Sequence, residues 1–180
     1  MFRISSLLFF LGFLQSQNYP DFEVLHFENP HPSSLFLHTM SEEDRFMAII
    51  DSGLDVQWHI RSNHMGLDFK VNQNYLTYYN KIEGSWILAN QMMNEVDTLM
   101  CEGSYVADYH DIQILENGNY LLQAYDSSFV DMSTIIDGGQ SVAWITGILV
   151  IQMFDINHEL ILEWNAWDHL DISQYTNLNL

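Results

Sequence analysis

Apolar and polar residues alternate along most of this chain with the two-residue period of a β-strand, and helical periodicity is weak. The apolar runs are rich in Ile, Leu, Val, Tyr and Trp and are broken by Asp, Asn and Gly, as strands are broken by turns. "AIIDSGLDVQWHI", "ILANQMMNEVDTLM" and "VIQMFDINHELILEW" each read as a strand, a polar turn and a second strand. Superposing Ile60 on Met100 brings Asp51 onto Gln91 and Val56 onto Val96, an offset of 40 residues, and Asp155 and Trp164 take the same places in the third copy.

A second type of hairpin follows the first two copies. "LDFKVNQNYLTYY" and "HDIQILENGNYLLQAY" align through Asp68 with Asp111 and through Asn74 with Asn119, the earlier copy being two residues shorter at its turn. Asn117-Gly118 between alternating runs is a strong hairpin signal. The expected unit is therefore hairpin plus hairpin, four antiparallel strands in roughly forty to fifty residues, the size of a propeller blade. The expected fold class is all-β, with β-propeller-type blades over 47–180. Complete units run from Met47 to Tyr79 and from Trp86 to Tyr125, with half of a third from Gly147 to Trp164.

Residues 18–46 read as a lead-in with one or two strands. "SSFVDMSTIIDGGQSVAWIT" reads as a long loop, a class often functional or disordered. A propeller needs about four blades or more to close. Two and a half leave the ring incomplete, so the chain reads as part of a larger propeller.

Residues 1–17 have the architecture of a signal peptide: Arg3, an apolar run from Leu7 to Leu14, and Ser16 near a cut. The run is too short to span a bilayer and no later segment looks transmembrane, so an exported protein, periplasmic or extracellular, is expected. The 180 residues carry five Lys+Arg against 24 Asp+Glu, a formal charge of −19. Such a surface repels phosphate backbones and anionic lipid, which argues against nucleic acid or membrane as a partner. Cys101 is the single cysteine, which excludes an internal disulfide or a Cys-x-x-Cys site, and it is expected to be buried and inert.

Phosphate-cradling Gly-rich loops, Gly-x-Ser-x-Gly elbows and His-Glu-x-x-His are absent. "DINHE" lacks the glycine of a calcium loop and lies in a hairpin turn, so no metal is assigned. Among eight histidines, His26, His31 and His38 fall in the lead-in, and His59, His64 and His158 on strand edges or turns, where surface or capping roles are expected.

His110 and His169 are the candidates for chemistry. His110 begins the innermost strand of its unit, and its counterpart in the previous unit is Leu67, whereas Asp111 is repeated by Asp68. The repeated Asp68 and Asp111 therefore read as structural carboxylates, Asp111 accepting backbone N–H groups, and His110 as the specialised residue. His169, in "WDHL", is a candidate for catalysis or for a loop tie.

"PHPSSLFLHT", the Asp68-Phe69 pair, "DYHDIQILENGNYLLQAYD", "VDMSTIIDGGQ" and "EWNAWDHL" occur in the order found in aryl-sulfate sulfotransferases, and the chain resembles the exported bacterial members of that family from about Asn29 to Leu170. The resemblance implies a propeller that moves a sulfuryl group from a phenolic sulfate to a phenol acceptor, without a cofactor, through a channel histidine. His110 matches the family's early channel histidine, implying acid/base work or substrate positioning. The family's His-x-Asn segments, nucleophile included, lie beyond "WDHL", so this chain alone is expected to be inactive. Arg45, Arg61, Lys70 and Lys81 are the cations beyond the signal segment, and none lies in a sulfate-clamp motif. The rival expectation is a non-catalytic secreted propeller that binds a partner or glycan. A quinone-cofactor propeller is weaker still, for want of repeated tryptophan-docking motifs.

Overall fold

The structure, a computed structural model, describes residues 19–39 and 45–171, so the expected signal peptide lies outside the described residues. The described chain is all-β, with three open antiparallel sheets and almost no helix. The first sheet holds β1 (Leu35–His38), β2 (Phe46–Ile50) and β3 (Val56–Arg61). The second runs in order through β4 (Met65–Asn72), β5 (Tyr75–Asn80), β6 (Ser85–Ala89) and β7 (Glu95–Leu99). The third comprises β8 (Ala107–Ile114), β9 (Tyr120–Val130), β10 (Ala143–Phe154) and β11 (Leu160–Asn165), followed by the one-turn helix α1 (Ala166–His169).

The middle sheet is buried on both faces. Every residue of β6, "SWILA", is buried, the continuous apolar signature of a strand without a wet side. Alternation along the strands feeds two cores. Tyr79, Trp86, Leu88 and Leu99 pack against Ile112, Leu122 and Phe154 of the third sheet. Tyr78, Ile87 and Ala89 turn the other way, onto Met47, Phe36 and Trp58 of the first. Trp86 is 0% exposed, so truncating it to Ala would remove about 3–5 kcal/mol. The first sheet approaches β4 so closely that a Cβ on Gly66 (φ +104°) would overlap the Met47 side chain.

The three outer hairpins share one turn, and its chemistry corrects the sequence register. Asp51, Asn90 and Asp155 each hold the first position, and each Oδ1 accepts two backbone N–H groups: from Gly53 and Asp55, from Met92 and Asn94, and from Asn157 and Glu159. The fourth residue of each turn, Leu54, Met93 and His158, has a positive φ of 72°, 62° and 65°. The counterpart of Asp51 is thus Asn90 and not Gln91, and the offset is one residue shorter than the apolar superposition suggested. The placement of Asp155 and Trp164 in the third copy agrees with this register. In the inner hairpins, Val71 pairs with Leu76 and Ile114 with Tyr120, so the later turn is one residue longer, not two.

The strands also group differently from the expected units. The four-stranded sheets begin at Met65 and Ala107, not at Met47 and Trp86, because β1 from the lead-in pairs with β2 and closes off the first hairpin. The expected long loop is strand at both ends. β9 and β10 run on as a twisted pair out to Val130↔Ala143, leaving 131–142 as the tip with a 3-10 turn at Met132–Thr134.

The second and third sheets are joined by side-chain donors aimed at β8. The Tyr79 hydroxyl donates to the Ala107 carbonyl (2.6 Å), Trp86 Nε1 to Asp108 (3.0 Å), Asn72 Nδ2 to Ile112 (2.9 Å) and Gln73 Nε2 to Ile114 (3.3 Å). Buried Gln152 adds a tie in the other direction, accepting from the Glu102 backbone N–H at 2.8 Å.

Candidate functional site

The Asp108–His110 pair forms on the first strand of the third sheet. The register of β8 on β9 shifts between Ala107 and Ile112, and in this irregular stretch the side chain of position 108, not 111, meets that of position 110. Asp108 Oδ2 accepts the His110 backbone N–H at 3.0 Å and lies 2.6 Å from its ring Nδ1. The carboxylate is 8% exposed while the imidazole is 61% exposed. A buried, backbone-anchored acceptor thus holds an open ring. With Nδ1–H given to Asp108, Nε2 is the ring atom available to a ligand. Asp108 is itself placed by the core, since its carbonyl accepts the indole N–H of Trp86. Tyr109 flanks the ring, with centroids 4.1 Å apart.

Asp111 points to different partners. Its Oδ1 accepts from Lys70 Nζ at 2.7 Å and its Oδ2 from Gln113 Nε2 at 2.6 Å, so its ligands are side chains rather than the expected backbone amides. Lys70 Nζ is also 2.5 Å from Asp68 Oδ2. The two repeated carboxylates therefore meet through one cation. Each Asp faces the residue two ahead of it, Lys70 for Asp68 and Gln113 for Asp111, and Lys70 reaches across from β4 to β8 as well. Burial would raise the Asp111 carboxyl, but Lys70 and Gln113 outweigh it and hold it below the usual carboxylate range. Burial likewise opposes the Lys70 charge, and Asp111 and Asp68 overcome it, carrying the ammonium above its ordinary value.

His169 closes α1, its ring stacked on Trp164 at 5.4 Å and 9°. Asn165 caps this turn by accepting from the Trp167 N–H. Asn165, Val150, Ala124 and Ala107 stand in one row across the third sheet, which puts His110 and His169 near the same end of it but on opposite edge strands. Three strand spacings separate the edges by roughly 14 Å. The fold does not bring the two histidines together.

His158 makes a separate contact between sheets. Its Nδ1 is 2.9 Å from the Tyr120 hydroxyl and its Nε2 3.5 Å from Asp97 Oδ2 of the middle sheet. Asp155, in the "DINHE" turn, spends its carboxylate on backbone amides. Among the described residues no group of three or more His, Cys, Asp or Glu side chains is gathered as a metal site would need. No described helix is long and apolar enough to cross a membrane. Cys101 is half-buried against the core between the second and third sheets, and burial, then Glu163, pushes its thiol up to about 12.

Three of the four cations among the described residues are engaged elsewhere. Lys70 lies between two carboxylates, an Arg45 guanidinium nitrogen is 3.0 Å from His64 Nδ1, and Arg61 stands over the Phe46 ring. The arrangement can transfer a proton at His110 Nε2, and it offers no cluster of positive charge for an anion beside it. No family model, no curated protein and no solved structure matches the chain.

Proposed function

We propose that His110 is the acid/base histidine of a propeller that transfers a sulfuryl group between phenols, with Asp108 as its positioning residue. The observation that carries the reading is the 2.6 Å Asp108–His110 contact, in which a buried carboxylate orients an open imidazole. The face-to-face sheets support the propeller part, as does the close approach of β4 to β1 and β8, since the first strands of neighbouring blades meet around a propeller's axis.

In this reading Nε2 accepts the proton of the acceptor phenol as its oxygen bonds to sulfur, and returns a proton to the departing phenolate as the donor S–O bond breaks. Lys70 does not serve the sulfuryl oxygens, because Asp68 and Asp111 already hold it. His169 lies too far away to receive the group from a substrate held at His110. The purified chain is therefore expected not to release nitrophenol from 4-nitrophenyl sulfate in the presence of phenol.

The deciding measurement is NMR of the histidine rings, with His110 assigned by its loss in His110→Gln. Phenol or 4-nitrophenyl sulfate at millimolar concentration should shift the His110 resonances, and Asp108→Asn should weaken that shift several-fold without changing the melting temperature by more than a few degrees. Ring resonances indifferent to both ligands would sink the reading and leave the secreted binding module in its place.

A further inference from the structure

The two junctions of the stack are built differently. The middle and last sheets are threaded together by Tyr79, Trp86, Asn72, Gln73 and Lys70, whose donors all end on oxygens of β8. The first sheet meets the middle one through apolar side chains, Phe36, Met47 and Trp58 against Phe69, Tyr78 and Ile87. A titratable ring stands at that first junction. His38 closes β1 opposite Met47, and β1 packs on β4. A Cβ on Gly66 would lie 2.8 Å from its Cδ2, so the ring rests on the backbone of β4. Its Nε2 is buried and has no hydrogen-bond partner. The charged group that faces the ring is Arg45, whose guanidinium is 3.0 Å from His64 Nδ1. β2 carries no ionisable residue, and Asp68 and Lys70 of β4 are engaged with each other and with Asp111. Glu42, Glu43 and Asp44, between β1 and β2, lie outside the described residues.

We propose that His38 is an acid-operated latch: with its ring neutral the first sheet stays docked on the middle one, and when the ring takes a proton the first sheet lifts away. A neutral imidazole requires no acceptor at Nε2. An imidazolium puts an N–H there, and a buried, charged donor without an acceptor is costly. Arg45 adds the repulsion of a like charge. Burial first, and Arg45 next, lower the titration of the ring from the ordinary histidine value, against a smaller opposing effect of the Met65 backbone. Between the lowered value and the ordinary one, the open state binds a proton that the docked state refuses. Docking is therefore at full strength above the ordinary value and weakens as pH falls through that window. The cost falls on one junction. At the other, His158 has Asp97 as its neighbour at 3.5 Å, where His38 has Arg45, and the carbonyls of β8 do not titrate. Release uncovers Phe69, Tyr78 and Ile87 on the middle sheet, a packing change of the kind that histidine protonation drives at interfaces.

Hydrogen exchange of the full chain at about pH 7.5 and about pH 5, read by mass spectrometry and corrected for the intrinsic pH dependence of exchange, tests this. Protection of β2 and β3 should fall about threefold or more in acid, while that of β8 and β9 holds. His38→Leu fills similar space and cannot take a proton, so its first sheet should stay protected at both values. If that variant is disturbed already at the higher pH, His38→Asn, polar and equally unable to charge, serves in its place. Arg45→Gln should reduce the fall without abolishing it. First-sheet protection that is unchanged in acid overturns the inference. So does protection that rises in acid, as a carboxylate of Glu42, Glu43 or Asp44 reaching Nε2 would cause. A fall that persists in the His38 variants, or that spreads equally to the last sheet, overturns it as well.

Discussion

At the scale of single residues, the assignment turns on which carboxylate answers His110. The adjacent Asp111 repeats Asp68, but Lys70 and Gln113 hold it, and the partner is Asp108, two residues back. The signal was present in "DYHD" as a spacing of two. Lys70 was legible only as a scarce cation. Its reach from β4 to β8 depends on the stacking of sheets, which no local pattern encodes. A consequence is measurable in Lys70→Met, which leaves Asp68 and Asp111 without their cation. Both ends of the bridge are partly exposed, so the loss should be about 1 kcal/mol or less near neutral pH. The Asp111 carboxyl is depressed in the fold, so its contribution is full above the ordinary carboxylate range and is lost as pH falls through the depressed value. Lys70 is raised, so its contribution is full below the ordinary lysine value and is lost only as pH rises past the raised one. The gap in melting temperature between wild type and Lys70→Met should therefore be constant from about pH 5 to pH 9 and shrink by pH 3. A gap that widens in acid would mean that the bridge is not the source.

At the scale of elements, the repeated turn is the most informative device in the chain. An Asx side chain at its first position replaces two backbone acceptors, which is why Asp and Asn interchange freely between Asp51, Asn90 and Asp155. Superposing apolar residues missed this by one position in the second copy, since "NQMMN" offers Gln91 beside the true anchor. The same turn contains a cost. Leu54, Met93 and His158 occupy the left-handed region that glycine tolerates best, and in the inner hairpin Gly118 (φ 85°) holds the corresponding position. Opposite signs are expected from two changes in this turn. Asn90→Ala should destabilise by about 1 kcal/mol by stripping the acceptor from Met92 and Asn94. Leu54→Gly, at a side chain that joins neither core, should stabilise by about 0.5 kcal/mol, relief of strain outweighing added chain entropy. Urea titrations of both variants would check the pair, and a destabilised Leu54→Gly would show that its side chain packs better than the turn requires.

At the scale of the whole molecule, strands and hairpins were readable because each leaves a local trace, alternation in the strand and Asx or Gly in the turn. The grouping of hairpins into sheets was not. A hairpin repeat can be cut in two phases, and the connectors do not choose between them: three residues lead from β3 into a new sheet and four from β5 to β6 within one. The pairing of β5 with β6 and of β9 with β10 sets the phase, and the strand that takes the place beside β2 lies in the lead-in, outside the repeat.

The side chains that bridge the middle and last sheets have a consequence for the order of events as the chain leaves the ribosome. Tyr79, Trp86, Asn72, Gln73 and Lys70 all precede the strand whose oxygens they hold. A nascent chain released to about Met100 already displays this row of donors, and β8 emerges into a template waiting for it. Synthesis from the N-terminus would then build the molecule in the direction in which its interfaces are wired. Pulse-labelling hydrogen exchange during refolding should find amides of β5 and β6 protected before those of β8 and β9. Protection arriving first in the last sheet would show that it forms without that template.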